Sequence, residues 1–147
     1  YTTLFRSYPS APFFYFEFFP NSFGYGLGFW TWKQSAFKEV HNLILDKPDE
    51  WLEALDACKQ AGFVYGSRDN YKKDMYPNAP KELKPYLSAK NMEFSYNSFD
   101  MNKINSSALI DEIKLAFDLA SPMYTFWAKA YDNMLSKGII KPEDAMR

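Results

Sequence analysis

Residues 10–32 read SAPFFYFEFFPNSFGYGLGFWTW, and no other stretch constrains the fold as much. Residues 1–32 hold fourteen of the chain's aromatic side chains but only two charges, Arg6 and Glu17. Burying one Phe side chain is worth roughly 1.5–3 kcal/mol, so leaving most of these rings in water costs on the order of tens of kcal/mol. The stretch must therefore lie against a surface. A lone membrane-spanning helix is a poor candidate for it. Residues 13–32 are long enough to span. Their seven Phe contribute about −0.3 to −0.6 kcal/mol each on the insertion scale, against roughly +3 for one central charge. Glu17 cancels them, and Pro20, Asn21, Gly24, Gly26 and Gly28 have nothing left to offset them. Trp and Tyr favour the membrane interface or a partner's flank. The expectation is an irregular arm over residues 1–32 that contacts a membrane or a partner. Its anchors are Phe13, Phe14, Phe16, Phe18, Phe19, Phe23, Phe29, Trp30 and Trp32. Folding back to supply the core is the competing reading.

The remaining residues, 33–147, read as a helical domain. Trp30, Phe37, Val40 and Ile44 fall on one face of a helix expected over 29–46. Pro48 starts a second helix over 48–61, with Asp49 and Glu50 in the first turn, where the helix dipole favours acids. Gly62-Phe63 reads as its glycine-capped end. Residues 64–104 carry Pro77, Pro80 and Pro85 with Tyr71, Tyr76, Tyr86, Phe94, Tyr96 and Phe99, and read as a long wrapping loop. Helices are expected over 106–120 and 122–137, where Ser121-Pro122 either kinks one long helix or ends it and caps the next, with Gly138-Ile139 repeating the capped end. The fold class expected from this pattern is mainly α: two helical hairpins, an irregular arm and a wrapping loop.

The chain of 147 residues suits one domain, and its net charge of −1 gives no global attraction to nucleic acid. It starts at Tyr1, so a cleaved targeting peptide is one expectation. The single Cys58 excludes an internal disulfide. His41 is the only histidine, and no zinc-ligand spacing surrounds it. A nucleophilic Cys58–His41 pair lacks an orienting third group. The acids Asp49, Glu50, Glu53 and Asp56 read as a solvated helix start. Gly24-Tyr25-Gly26-Leu27-Gly28 has neither the preceding strand nor the following Lys of a phosphate loop. No catalytic residue, metal ligand or cofactor is expected. Residues 68–90 carry three more cations than acids, interleaved with Tyr71, Tyr76 and Tyr86. Arg68, Lys72, Lys73, Lys81 and Lys84 are candidate contacts for an anionic lipid surface.

With its aromatic arm at 10–32 and loop at 64–104, the chain resembles, as a class, the small accessory subunits of organellar membrane complexes. The resemblance implies a non-catalytic subunit of a respiratory-chain or ATP synthase type of assembly at the mitochondrial inner membrane. Its partners would be other protein subunits and lipid, with nucleic acid not expected. The alternative is a soluble helical domain that binds a small apolar ligand beneath an aromatic lid.

Overall fold

The computed structural model describes residues 11–31 and 33–143. The aromatic stretch is not an irregular arm. Phe13–Phe19 forms strand β1 and Ser22–Phe29 forms strand β2, paired antiparallel with Phe19 opposite Ser22. Pro20 and Asn21 are the whole turn between them. Pro fixes φ near −65°, and no described non-glycine residue has positive φ. The loop is therefore not one of the primed turns that Asn-Gly or Asp-Gly announces in a hairpin sequence.

Two helices follow, α1 at Gln34–Asp46 and α2 at Pro48–Gln60. The first starts later than position 29 because Phe29 belongs to β2. After α2, Gly62 takes φ +80°, Phe63 N donates to Cys58 O at 3.0 Å, and Gly62 N donates to Lys59 O at 2.9 Å. This is the glycine-capped end read from the sequence. The expected wrapping loop is largely structured. It holds strand β3 at Val64–Gly66, helix α3 at Lys84–Leu87, strand β4 at Met92–Ser98 and a 3-10 turn at Met101–Asn105. The last helix, α4 at Ala108–Ser136, runs through Pro122 as one element, where two had been expected. Gly138 closes it at φ +66° with Ile139 N donating to Met134 O at 2.9 Å.

The strands form one antiparallel sheet in the order β1-β2-β4-β3. The fold is α+β, which corrects the expectation of a mainly α protein. Strand β2 explains why. Phe23, Tyr25, Leu27 and Phe29 alternate with Gly24, Gly26 and Gly28, the period-2 pattern of a strand with one apolar face. Met92, Phe94, Tyr96 and Ser98 of β4 pair with those four residues and share their face. That inner face meets the helices. Phe29 packs on Trp127 with centroids 6.1 Å apart and on Phe37 at 5.7 Å, while Phe94 lies 5.8 Å from Trp127. Helix α4 is the central spar, packing on α1, α2 and β2. Glu39, buried on α1, is matched by Lys137 just past α4, whose Nζ lies 2.7 Å from the carboxylate.

Loop 67–83 is fixed to this body by His41. His41 Nε2 lies 2.7 Å from Ala89 O and Nδ1 lies 3.2 Å from the Tyr76 hydroxyl. A carbonyl only accepts, so Nε2 carries the hydrogen, and because burial lowers the ring's pKa to about 4, Nδ1 is bare and accepts from the Tyr76 hydroxyl. The imidazole is neutral and both nitrogens are engaged.

Candidate interaction site

Strand β1 lies at one edge of the sheet, and among the described residues no strand pairs with its outer side. Which of its backbone groups face outward follows from the turn. In a two-residue hairpin the residues flanking the loop exchange both hydrogen bonds, and the bonding rows then alternate. Phe19, Glu17, Tyr15 and Phe13 thus bond to β2. The amides and carbonyls of Phe14, Phe16 and Phe18 point away from it.

The same residues carry the site's apolar surface. Phe14, Phe16 and Phe18 pair with Leu27, Tyr25 and Phe23, so their side chains lie on the inner face. Phe14 stacks on Tyr124 at 5.2 Å and touches Phe117 at 4.6 Å, both on α4. Phe16 lies 6.0 Å from Phe23 and 5.9 Å from Phe18, and the helices do not reach far enough to cover either ring. Phe16 is 44 % exposed, Phe18 52 % and Phe19, at the turn, 46 %. Ile110, near the start of α4, is also exposed.

The outer face of the sheet is different in chemistry. The β2 glycines form its floor, with the Phe13 ring over Gly28 and the Asn97 side chain over Gly24. Phe13 meets Trp30 edge to face at 5.5 Å, and the Arg68 guanidinium sits 4.5 Å from the Trp30 ring centre and 4.0 Å from the Glu93 carboxylate. Burial, then the Glu93 and Glu17 carboxylates, push the Tyr15 hydroxyl up to about 12, so it stays protonated. Burial and then Glu93 also raise Glu17 above the usual carboxylate range.

The residues singled out from sequence divide into three groups. Phe16, Phe18 and Phe19 are exposed on the hairpin, and Phe13, Phe14 and Trp30 are half-buried beside it. Phe23 and Phe29, expected among the anchors, are fully buried in the core because their strand turns them toward the helices. Trp32 lies outside the described residues. The five cations do not converge. Arg68 sits on Trp30, and Lys84 is held by Asp74 at 2.6 Å and Pro77 O at 3.1 Å. Lys73 and Lys84 line one open hollow of about 250 Å3 with Tyr71 and Ser88, while Lys72 and Lys81 stand exposed. Tyr15, Glu17, Glu93 and Ser95 were missed, and the alternation of β2 and β4 is the signal that places them on one face.

The chemistry considered at Cys58 and His41 is not assembled. Both His41 nitrogens are engaged elsewhere, and burial pushes the Cys58 thiol up to about 12. Among the described residues no group of three or more His, Cys, Asp or Glu is placed to hold a metal ion. Among them also, no helix is long and apolar enough to cross a membrane.

Fold and site together define a small two-layer α+β protein whose distinctive surface is an open aromatic edge strand. A family model described as "Conserved hypothetical protein (DUF2461)" matches residues 4–126, and the chain belongs to that family. The match takes in the whole sheet and most of α4. No curated protein and no solved structure matches the chain.

Proposed function

We propose that the protein is a non-catalytic interaction subunit that docks through β1. The observation that carries this reading is a seven-residue edge strand whose outer row no strand among the described residues pairs, with three Phe rings about half exposed. A long, apolar, open edge is the usual template for adding another chain's strand. Aromatic side chains also supply most of the binding energy at protein interfaces. Six of the seven β1 side chains are aromatic. The membrane-associated assembly, at the mitochondrial inner membrane, belongs to the same proposal. Its support is now Phe16, Phe18 and Phe19 together with the exposed Lys72, Lys73 and Lys81, since the other rings are occupied in packing. That balance favours a protein partner over lipid as the principal contact.

The test is the native size of the protein extracted from its source in mild detergent. The expected result is migration well above 17.2 kDa. Replacing Phe18 and Phe19 together by Ser should return it to the size of the free chain. Both rings are about half exposed, so the double change should cost about 1.5–3 kcal/mol of stability. Persistence of the large species in a folded double variant would sink the reading.

A further inference from the structure

Strand β1 is self-complementary, and the argument here rests on its reading as the docking element. Its sequence is Phe13-Phe14-Tyr15-Phe16-Glu17-Phe18-Phe19. A two-fold axis at Phe16 sets Phe14 opposite Phe18 of a second copy, Phe13 opposite Phe19, and Tyr15 opposite Glu17. The residue classes read nearly the same in both directions.

The backbone is in phase with that axis. The outward amides and carbonyls belong to Phe14, Phe16 and Phe18. An axis at Phe16 turns them into three reciprocal pairs, the most this strand can make. An axis at Tyr15 or Glu17 keeps only two such pairs. The axis at Glu17 would also set one carboxylate directly opposite another, which disfavours pairing. With the axis at Phe16, Tyr15 of each copy lies opposite Glu17 of the other, so no two carboxylates are set against each other. On the inner face, the half-exposed Phe16 and Phe18 rings of both copies form one continuous row. The opposite edge of the sheet is β3, only three residues long and poorly suited to the same use.

The geometry points to a second copy of this chain as the occupant of β1, paired antiparallel about a two-fold axis at Phe16. The interface uses the same patch twice and closes on itself, so it yields a dimer with an eight-stranded sheet and not a fibre.

Sedimentation of the purified chain at micromolar concentration should give twice the 17.2 kDa chain mass. Crosslinking fixes the register. The only native cysteine, Cys58, is buried. In a hydrogen-bonded antiparallel pair the Cα atoms lie about 5.5 Å apart, within disulfide range. A Phe16→Cys variant should therefore crosslink to itself under mild oxidation, at least about tenfold faster than Phe19→Cys, whose two copies lie at opposite ends of the paired strands. A Phe16→Pro variant loses an amide that, among the described residues, bonds no other strand, and should be monomeric with unchanged helical circular dichroism. If that variant does not fold, the two cysteine variants decide. A monomer at every concentration overturns the proposal, as does a dimer in which Phe19→Cys crosslinks as fast as Phe16→Cys. A chain that is monomeric alone but part of a larger assembly in its source also overturns it, while leaving the interaction reading of β1 standing.

Discussion

Replacing Gly26 by alanine is expected to disrupt the sheet, at a cost of about 3 kcal/mol or more. Gly26 sits at the centre of β2, opposite Tyr15 on one side and Ser95 on the other. A Cβ built there overlaps the backbone carbonyl oxygen of Phe94 and comes within 2.9 Å of Ser95 Cα. Both obstacles are main chain, so no rotamer change relieves them. Strand β4 would have to move away from β2, and β4 carries Met92 and Phe94 into the core. The neighbouring glycines behave differently. At Gly28 the nearest atom is the tip of the Phe13 ring at 3.3 Å, and at Gly24 it is the Asn97 side chain at 2.5 Å. Side chains can give way, so Gly28→Ala should cost within about 1 kcal/mol, with Gly24→Ala in between. Thermal melts check the order. Gly26→Ala should lower the midpoint by about 10 °C or leave no cooperative transition. Equal midpoints for Gly26→Ala and Gly28→Ala would mean that β2 and β4 do not approach as closely as described.

Acid is expected to weaken the fold through His41. The ring is almost wholly buried among Phe37, Tyr71 and Tyr76, at centroid distances of 5.7, 6.4 and 5.4 Å. Burial is the main cause that pulls it from 6.5 down to about 4. The hydrogen bond to Ala89 O opposes that pull, and Lys38 adds to it. The folded state thus holds the neutral form, whereas the unfolded chain takes up a proton near pH 6.5. The stability due to the neutral ring is complete above about pH 6.5, falls away as pH drops toward 4, and is gone below that. Lowering the ring from 6.5 to about 4 corresponds to about 3 kcal/mol. Carboxylates also begin to titrate at the lower end of this range, so the useful comparison is with His41→Gln. That variant should be less stable at pH 7, yet should lose about 3 kcal/mol less than the parent between pH 7 and pH 4 in urea unfolding. Parallel losses in the two proteins would show that His41 is not held neutral.

Helices α1, α2 and α4 were readable because each is long enough to show its period. Phe37, Val40 and Ile44 announce α1, Pro48 with Asp49 and Glu50 announces the start of α2, and Gly62 and Gly138 mark two helix ends. Local preference at Ser121-Pro122 allows either a kink or a helix boundary. Packing of α4 along α2, α1 and β2 holds it in one continuous helix. The sheet was hidden for a different reason. Glycine disfavours strands on average, so Gly24, Gly26 and Gly28 read as a loose backbone. In fact they are where β1 and β4 press closest to β2, and the alternating Phe23, Tyr25, Leu27 and Phe29 carry the true period. Strand β4 has the same alternation, but its partner β2 lies more than sixty residues earlier, and nothing local signals such a pairing. The aromatic richness of residues 13–30 was legible. Which rings are core and which are surface depends on the face each one takes, and that required the register.

The most direct test of the account is amide hydrogen exchange across the hairpin, read residue by residue in the dilute free chain and again in the assembled state. The Tyr25 and Leu27 amides, bonded within the sheet, should be slow in both. The Phe14, Phe16 and Phe18 amides should exchange quickly in the free chain and become protected on assembly, while the Tyr15 and Glu17 amides, already bonded to β2, change little. Slow exchange at Phe14, Phe16 and Phe18 in the dilute chain, or no change there on assembly, would contradict β1 as the open edge through which the protein docks.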